Sequence, residues 1–146
     1  MRRVLGVDYG QRRVGIALSD PLGLTARPFE VVPRGASTTR VAELIVEYDV
    51  STVVVGLPTP LGGGESESAR QARQFGAAIG AMTGIDVVYV DERYTSKIAE
   101  RSLLESGMQR RDRRDTIDKV AAAIILQSYL DGNSATPGYV EVPGVT

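Results

Sequence analysis

The 146-residue sequence contains no cysteine and no histidine. Without cysteine there can be no disulfide, no thiolate nucleophile and no cysteine-built zinc site. Without histidine, serine–histidine triads, imidazole-driven phosphodiester cleavage and ordinary catalytic zinc sites are excluded as well. Carboxylate chemistry remains, and Asp and Glu oxygens suit hard cations such as Mg²⁺ and Mn²⁺, which need no nitrogen ligand. Long apolar runs are also missing: Met1 to Leu5 carries two arginines and only a short apolar stretch, far below the roughly 18 residues of a membrane span. A cytoplasmic protein with no membrane association is expected.

What is present reads as globular. Apolar residues make up 42% and charged residues 24%, which argues against disorder or a fibrous repeat. The length suits one core, with no room for a second catalytic domain. Net charge is −1, yet 15 of the 17 basic residues are arginine and they cluster, so local charge matters more than the total. Arg2, Arg3, Arg12 and Arg13 bracket the first hairpin, and Arg110, Arg111, Arg113 and Arg114 crowd around Asp112. Arginine forks match phosphate oxygens, although solvated loops would produce the same runs.

Along the chain, Arg3 to Asp8 and Val14 to Ser19 are apolar, β-branched runs separated by Tyr9 to Arg13, which predicts a hairpin. A third strand near Phe29 to Val32 completes an antiparallel meander, with Pro28 confined to its first position or an edge. Ser37 or Thr38 is placed to cap a helix carrying Val41, Leu44, Ile45 and Tyr48. Ser51 to Leu57 and Asp86 to Val90 read as strands buried on both faces. Between them lie a glycine-rich loop, Pro58 to Gly64, and a helix from about Glu65 to Met82. Helices are further expected over Ser96 to Ser106 and Thr116 to Leu130, followed by a loose tail over 134–146. Residues 1–133 thus form one domain of α/β class: a mixed five-stranded sheet, antiparallel first and then joined by parallel crossovers, flanked by helices.

Three acids fall where they could meet. Asp8 closes the first strand in Gly6-Val7-Asp8-Tyr9-Gly10, although an Asx turn would also place an aspartate there. Asp91 and Glu92 follow the last buried strand at its carboxyl end, where crossover sheets build their sites. Strand alternation points these two to opposite faces, so at most one joins Asp8; Glu92 is assigned that role, with Asp91 as the alternative. Asp118 is expected in the first turn of its helix, where the macrodipole favours any acid. It nevertheless shares a face with Ala122, Ile125 and Tyr129, a stripe suited to packing. Three such acids would repel one another unless divalent ions neutralised them, which fits two-metal phosphodiester hydrolysis without an imidazole base. Gly62 to Gly64, ahead of a helix, could offer N–H groups to a phosphate or be a plain surface loop; it lacks the Lys-Ser/Thr of a nucleotide-binding P-loop. Tyr94 could stack a base or simply pack.

Four blocks resemble the YqgF/RuvX family of Holliday-junction-resolvase-like nucleases of pre-16S ribosomal RNA. They are Gly6 to Asp20 (GVDYGQRRVGIALSD), Val55 to Pro58 (VGLP), Asp91 to Ser96 (DERYTS) with Ala99 and Glu100, and Ile117 to Leu130 (IDKVAAAIILQSYL). The resemblance implies a ribonuclease H-like fold, dependence on Mg²⁺ or Mn²⁺, and endonucleolytic trimming of the 5′ end of precursor 16S rRNA. It places the metal-holding acids at Asp8, Glu92 and Asp118, and phosphate contacts at Arg12, Arg13 and Arg93, to which the Arg110–Arg111 cluster is added on charge alone. Ser96 stands where a second threonine is common and Leu61 where methionine is, both away from these acids. Rival readings are structure-selective cleavage of branched DNA, which would favour a homodimer, and a non-catalytic RNA-binding assembly factor on the same fold. An actin-like sugar kinase, suggested by Asp8-x-Gly10, fails on length.

Overall fold

The computed structural model describes residues 2–58, 65–91, 110–131 and 139–140, with 110–115 and 139–140 described by their backbone alone. The chain opens with β1 (Arg3–Tyr9), β2 (Arg13–Ser19) and β3 (Ala26–Pro33), followed by a single 3-10 turn (Arg34–Ala36) and α1 (Ser37–Glu47). It continues with β4 (Val50–Leu57), α2 (Glu67–Thr83), β5 (Asp86–Asp91), α3 (Arg110–Leu130) and a two-residue β6 (Tyr139–Val140).

The strands form one sheet in the order β3-β2-β1-β4-β5-β6. β1, β2 and β3 are an antiparallel meander, while β4 and β5 run parallel to β1. The five strands expected from the sequence are therefore present in the expected mixed arrangement. The sixth pairs antiparallel with the edge of β5, and comes from the span read as a loose tail. Two residues are too short for a periodicity to announce them. Pro28 sits inside β3 rather than at its start, which the sheet tolerates because β3 is an edge strand and its register shifts beside Pro28.

Alternation along the strands sorts side chains into two cores. Leu5, Val7, Val14, Ile16, Val53, Val55 and Tyr89 pack under α1 and α2 against Val41, Leu44, Phe75 and Ile79. Val4, Ala17, Val54, Val88 and Val90 face the other way and pack against Ala122, Ile125 and Leu126 of α3. Because β4 is covered on both faces, Val53, Val54 and Val55 are all fully buried, which explains its unbroken apolar run.

Helix boundaries correct three expectations. Ser37 is not the cap of α1 but its first residue; Ala36 precedes it, and the Ser37 hydroxyl donates back to the Arg34 carbonyl at 2.7 Å. α2 starts at Glu67 rather than Glu65, because the Ser66 side chain caps it by accepting from the Ala69 N–H. α3 begins at Arg110, six residues before the expected start at Thr116. The arginine-rich stretch lacks apolar spacing, yet arginine is a good helix former. The helix expected over Ser96 to Ser106 lies outside the described residues. Among the described residues no helix is long and apolar enough to cross a membrane.

Candidate active site

Two glycines set how closely α3 approaches the sheet. A Cβ on Gly6 would lie 2.7 Å from the Leu126 Cβ and 2.9 Å from the Ala122 carbonyl oxygen. On Gly15 it would lie 2.0 Å from the carbonyl oxygen of Asp118. No side chain fits at either place, so helix backbone rests directly on strand backbone.

This contact brings the backbones of two of the three expected acids, Asp8 and Asp118, side by side. Asp8 is the cross-strand partner of Gly15, and by alternation with Val4 and Gly6 it lies on the face that α3 covers. Directly opposed residues of an antiparallel pair have Cα atoms about 4.5–5.5 Å apart. Asp8 therefore stands beside the glycine on which Asp118 is seated. Asp118 is not in the first turn of α3, since the helix has already run from Arg110. The helix macrodipole falls off within the first turn, so it gives no reason for an acid here. The packing stripe does hold: Ala122 and Ile125 are buried and Tyr129 packs against the same cluster.

Asp118 accepts a hydrogen bond from the Arg13 Nε at 2.7 Å, in an ion pair whose side chains are 22% and 31% exposed respectively. Arg13 begins β2, immediately after a turn in which the Gly10 N–H donates to the Arg13 carbonyl at 3.0 Å. A cavity of about 390 Å³ opens at this end of the sheet, lined by Gly10, Gln11, Arg12, Arg13 and Asp118. Arg12 is exposed at its rim. The site joins carboxylates and guanidinium groups at one sheet end, a combination able to hold a cation and a phosphate side by side.

Arg34 fastens this turn from outside and was not anticipated from the sequence. Its Nε donates to the Tyr9 hydroxyl at 2.9 Å, another guanidinium nitrogen donates to the Gln71 Oε1 at 2.8 Å, and its backbone N–H donates to the Arg12 carbonyl at 2.9 Å. The guanidinium also lies 4.5 Å from the centroid of the Tyr9 ring, which stacks on Phe75 at 4.6 Å. A lone arginine after a proline carries no local signal for such a role.

The first arginine cluster is split by the hairpin. Arg2 and Arg3 lie at the opposite end of β1, where Arg2 pairs with Asp49 and Arg3 donates to the Ser19 carbonyl and covers Tyr48. Seven extended residues separate the two ends by about 20 Å, so of this cluster Arg12 and Arg13 alone line the cavity. Asp91 ends β5 on the α1/α2 side, in step with Val87 and Tyr89 and opposite to Asp8. Glu92, Arg93, Tyr94, Gly62 to Gly64 and the side chains of Arg110 and Arg111 lie outside the described residues. Among the described residues no three acids come together as a metal cluster.

Comparison with known proteins agrees with this architecture. The sequence profile of the RuvX family, described as Holliday junction resolvase, matches residues 2–132. A protein of Agathobacter rectalis named "Putative pre-16S rRNA nuclease" is 39% identical over 135 residues, covering 88% of this chain and 94% of its own. A protein of Lactococcus lactis subsp. cremoris with the same name is 41% identical over 137 residues, covering 90% and 96%. In structure, T. thermophilus RuvC, solved in complex with a Holliday junction substrate, aligns with a TM-score of 0.58 at 18% identity over 96% of this chain and 100% of that one. At that identity the likeness speaks for the fold, which is ribonuclease H-like. A profile that spans nearly the whole sequence, and relatives near 40% identity along almost their full length, settle the lineage: the chain belongs to the RuvX family.

Proposed function

We propose that the protein is a metal-dependent endonuclease of nucleic-acid phosphodiesters, acting in the cytoplasm on the 5′ end of precursor 16S rRNA. One observation carries the reading: the backbones of Asp8 and Asp118, far apart in sequence, come together at Gly15 beside a cavity lined by Arg12 and Arg13. The names of the relatives support both the nuclease activity and the rRNA substrate.

The donor set fits a hard cation. It offers carboxylate oxygens alone, and histidine and cysteine are absent from the chain. Asp8, Glu92 and Asp118 are the residues that would hold Mg²⁺ or Mn²⁺; Glu92 is preferred because Asp91 falls on the opposite face from Asp8. A bound pair of such ions supplies an acidified water and a charged partner for the leaving oxygen. The chain itself orients the substrate: Arg12 and Arg13 meet phosphate oxygens at the cavity, Arg93, Arg110 and Arg111 are further proposed contacts, and Arg34 holds the Gly10–Arg13 turn in place.

The family description favours a second reading, structure-selective cleavage of branched DNA. One experiment separates the two. Purified protein is incubated with precursor 16S rRNA and with a four-way DNA junction, in Mg²⁺, Mn²⁺ or chelator. The proposal expects metal-dependent cutting of the rRNA in preference to the junction, lost in Asp8→Asn with binding retained. Preferential cutting of the junction would favour the second reading. Absence of cutting in every condition, with binding intact, would make the protein a non-catalytic RNA-binding factor.

A further inference from the structure

We infer that Arg13 and a divalent cation compete for the Asp118 carboxylate, and that the displaced guanidinium moves into the adjoining cavity, where it is presented to a substrate phosphate. The inference rests on the proposed metal-dependent site and adds to it a coupling between cation and phosphate binding.

Four observations carry it. First, Arg13 Nε lies 2.7 Å from Asp118 Oδ2, so the guanidinium already takes hydrogen-bonding capacity of the carboxylate that a cation would need. A guanidinium and a dication on the same carboxylate repel, so one weakens the other. Second, the Arg13 side chain is 31% exposed, so it is not walled in. Third, the cavity of about 390 Å³ beside it is lined by Gly10, which contributes no side chain, and by Arg12. It gives the guanidinium somewhere to go and a second guanidinium to work with, and paired arginine forks suit phosphate oxygens. Fourth, the Arg13 backbone is held by its pairing with Pro33 and by the Gly10 N–H, so the exchange moves the side chain and leaves the strand in place. When a dication takes the place of the guanidinium at the carboxylate, the pocket is left with surplus positive charge, which an incoming phosphate at Arg13 offsets. Linkage then requires that cation and phosphate each strengthen the binding of the other.

The test is Mn²⁺ titration of the full-length protein by isothermal calorimetry, without nucleic acid, in wild type, Arg13→Gln, Arg13→Lys, Arg12→Gln and Asp8→Asn. Arg13→Gln is expected to bind Mn²⁺ about fivefold or more tightly than wild type. Arg13→Lys should stay near wild type because it keeps the competing charge. Arg12→Gln removes a charge from the same cavity but no bond to Asp118, and should change affinity by less than about twofold. Equal tightening in Arg12→Gln and Arg13→Gln would reduce the effect to a general field and overturn the inference, as would unchanged or weaker binding in Arg13→Gln. Should Arg13→Gln fail to fold, the Arg13 Nε–H resonance of wild type is followed by NMR during Mg²⁺ titration: a shift with faster solvent exchange is expected, and an unmoved resonance at saturation overturns the proposal. Mn²⁺ binding that is lost in Asp8→Asn but indifferent to Arg13 would remove this inference and leave the metal site standing. No Mn²⁺ binding to wild type, or undiminished binding to Asp8→Asn, would remove both.

Discussion

Replacing Gly15 with alanine adds one methyl group and no chemistry, yet it should disable the protein. The new Cβ would lie 2.0 Å from the Asp118 carbonyl oxygen, 2.4 Å from its carbon and 3.0 Å from the Lys119 nitrogen, against an ordinary contact of 3.4 Å or more. All three atoms are backbone, so no side chain can rotate aside. α3 must lift from the sheet by about 1.4 Å at Asp118, or β2 must yield. Overpacking of this kind typically costs about 1–3 kcal/mol, which in a chain of this size lowers Tm by about 2–4 °C per kcal/mol. The larger effect is on cleavage, because misplacing a catalytic group by about 1 Å can cost on the order of 100-fold in rate. Urea denaturation and a single-turnover cleavage assay on the preferred substrate measure the two effects. Gly35→Ala is the control, since nothing lies within 4 Å of its Cβ position. Wild-type rate and stability in Gly15→Ala would refute the claim that close helix–strand contact assembles the site.

Arg34→Ala removes donors to Tyr9 and Gln71 and the cover over the Tyr9 ring; it should lower stability by about 1–3 kcal/mol and slow cleavage, and Tm with unchanged single-turnover rate would argue against its hold on the turn. Gly80 lies inside α2 with only ordinary contacts, the nearest at 3.7 Å, so Gly80→Ala should stabilise by about 0.5–1 kcal/mol with activity unaltered, as a urea titration would show. The two Arg40 donors at 2.7 and 2.8 Å hold the Glu30 carboxyl below its ordinary value of 4.5. A depressed folded pKa gives stability that is present above the unfolded pKa and lost as pH falls through the folded one. Glu30→Gln should therefore cost about 0.5–1 kcal/mol at pH 7, a modest figure because the pair is partly exposed, with the gap closing below about pH 4; an equal gap at pH 3 would contradict this.

The elements most legible in the sequence were those whose burial is periodic and local. Val41, Leu44 and Ile45 mark one helical face, and the run through Val53, Val54 and Val55 marks a strand covered on both sides, and each is buried as expected. Residues 110–115 give no sign in the sequence of opening α3, because charged residues carry no burial pattern, and a helix read from Thr116 puts Asp118 in a first turn it does not occupy. The candidate site was legible as a set of residue types but not as a contact. Asp8 could be located at a strand end, whereas its meeting with Asp118 depends on Gly15, which alternation alone identifies only as a position on a sheet face. Arg13 was anticipated as a phosphate contact; its bond to Asp118 spans 105 residues and has no local trace. Arg34 acts through Tyr9 and Gln71, again from a distance in sequence that no motif records.

The central question is whether divalent ions bind where the backbones of Asp8 and Asp118 come together. Crystals of the full-length protein soaked in Mn²⁺ and measured at the manganese absorption edge would answer this. The expected result is an anomalous peak within ligand distance of both carboxylates, with Glu92 completing the coordination. A difference map showing manganese elsewhere, or none beside these two residues at a concentration that supports cleavage, would contradict it.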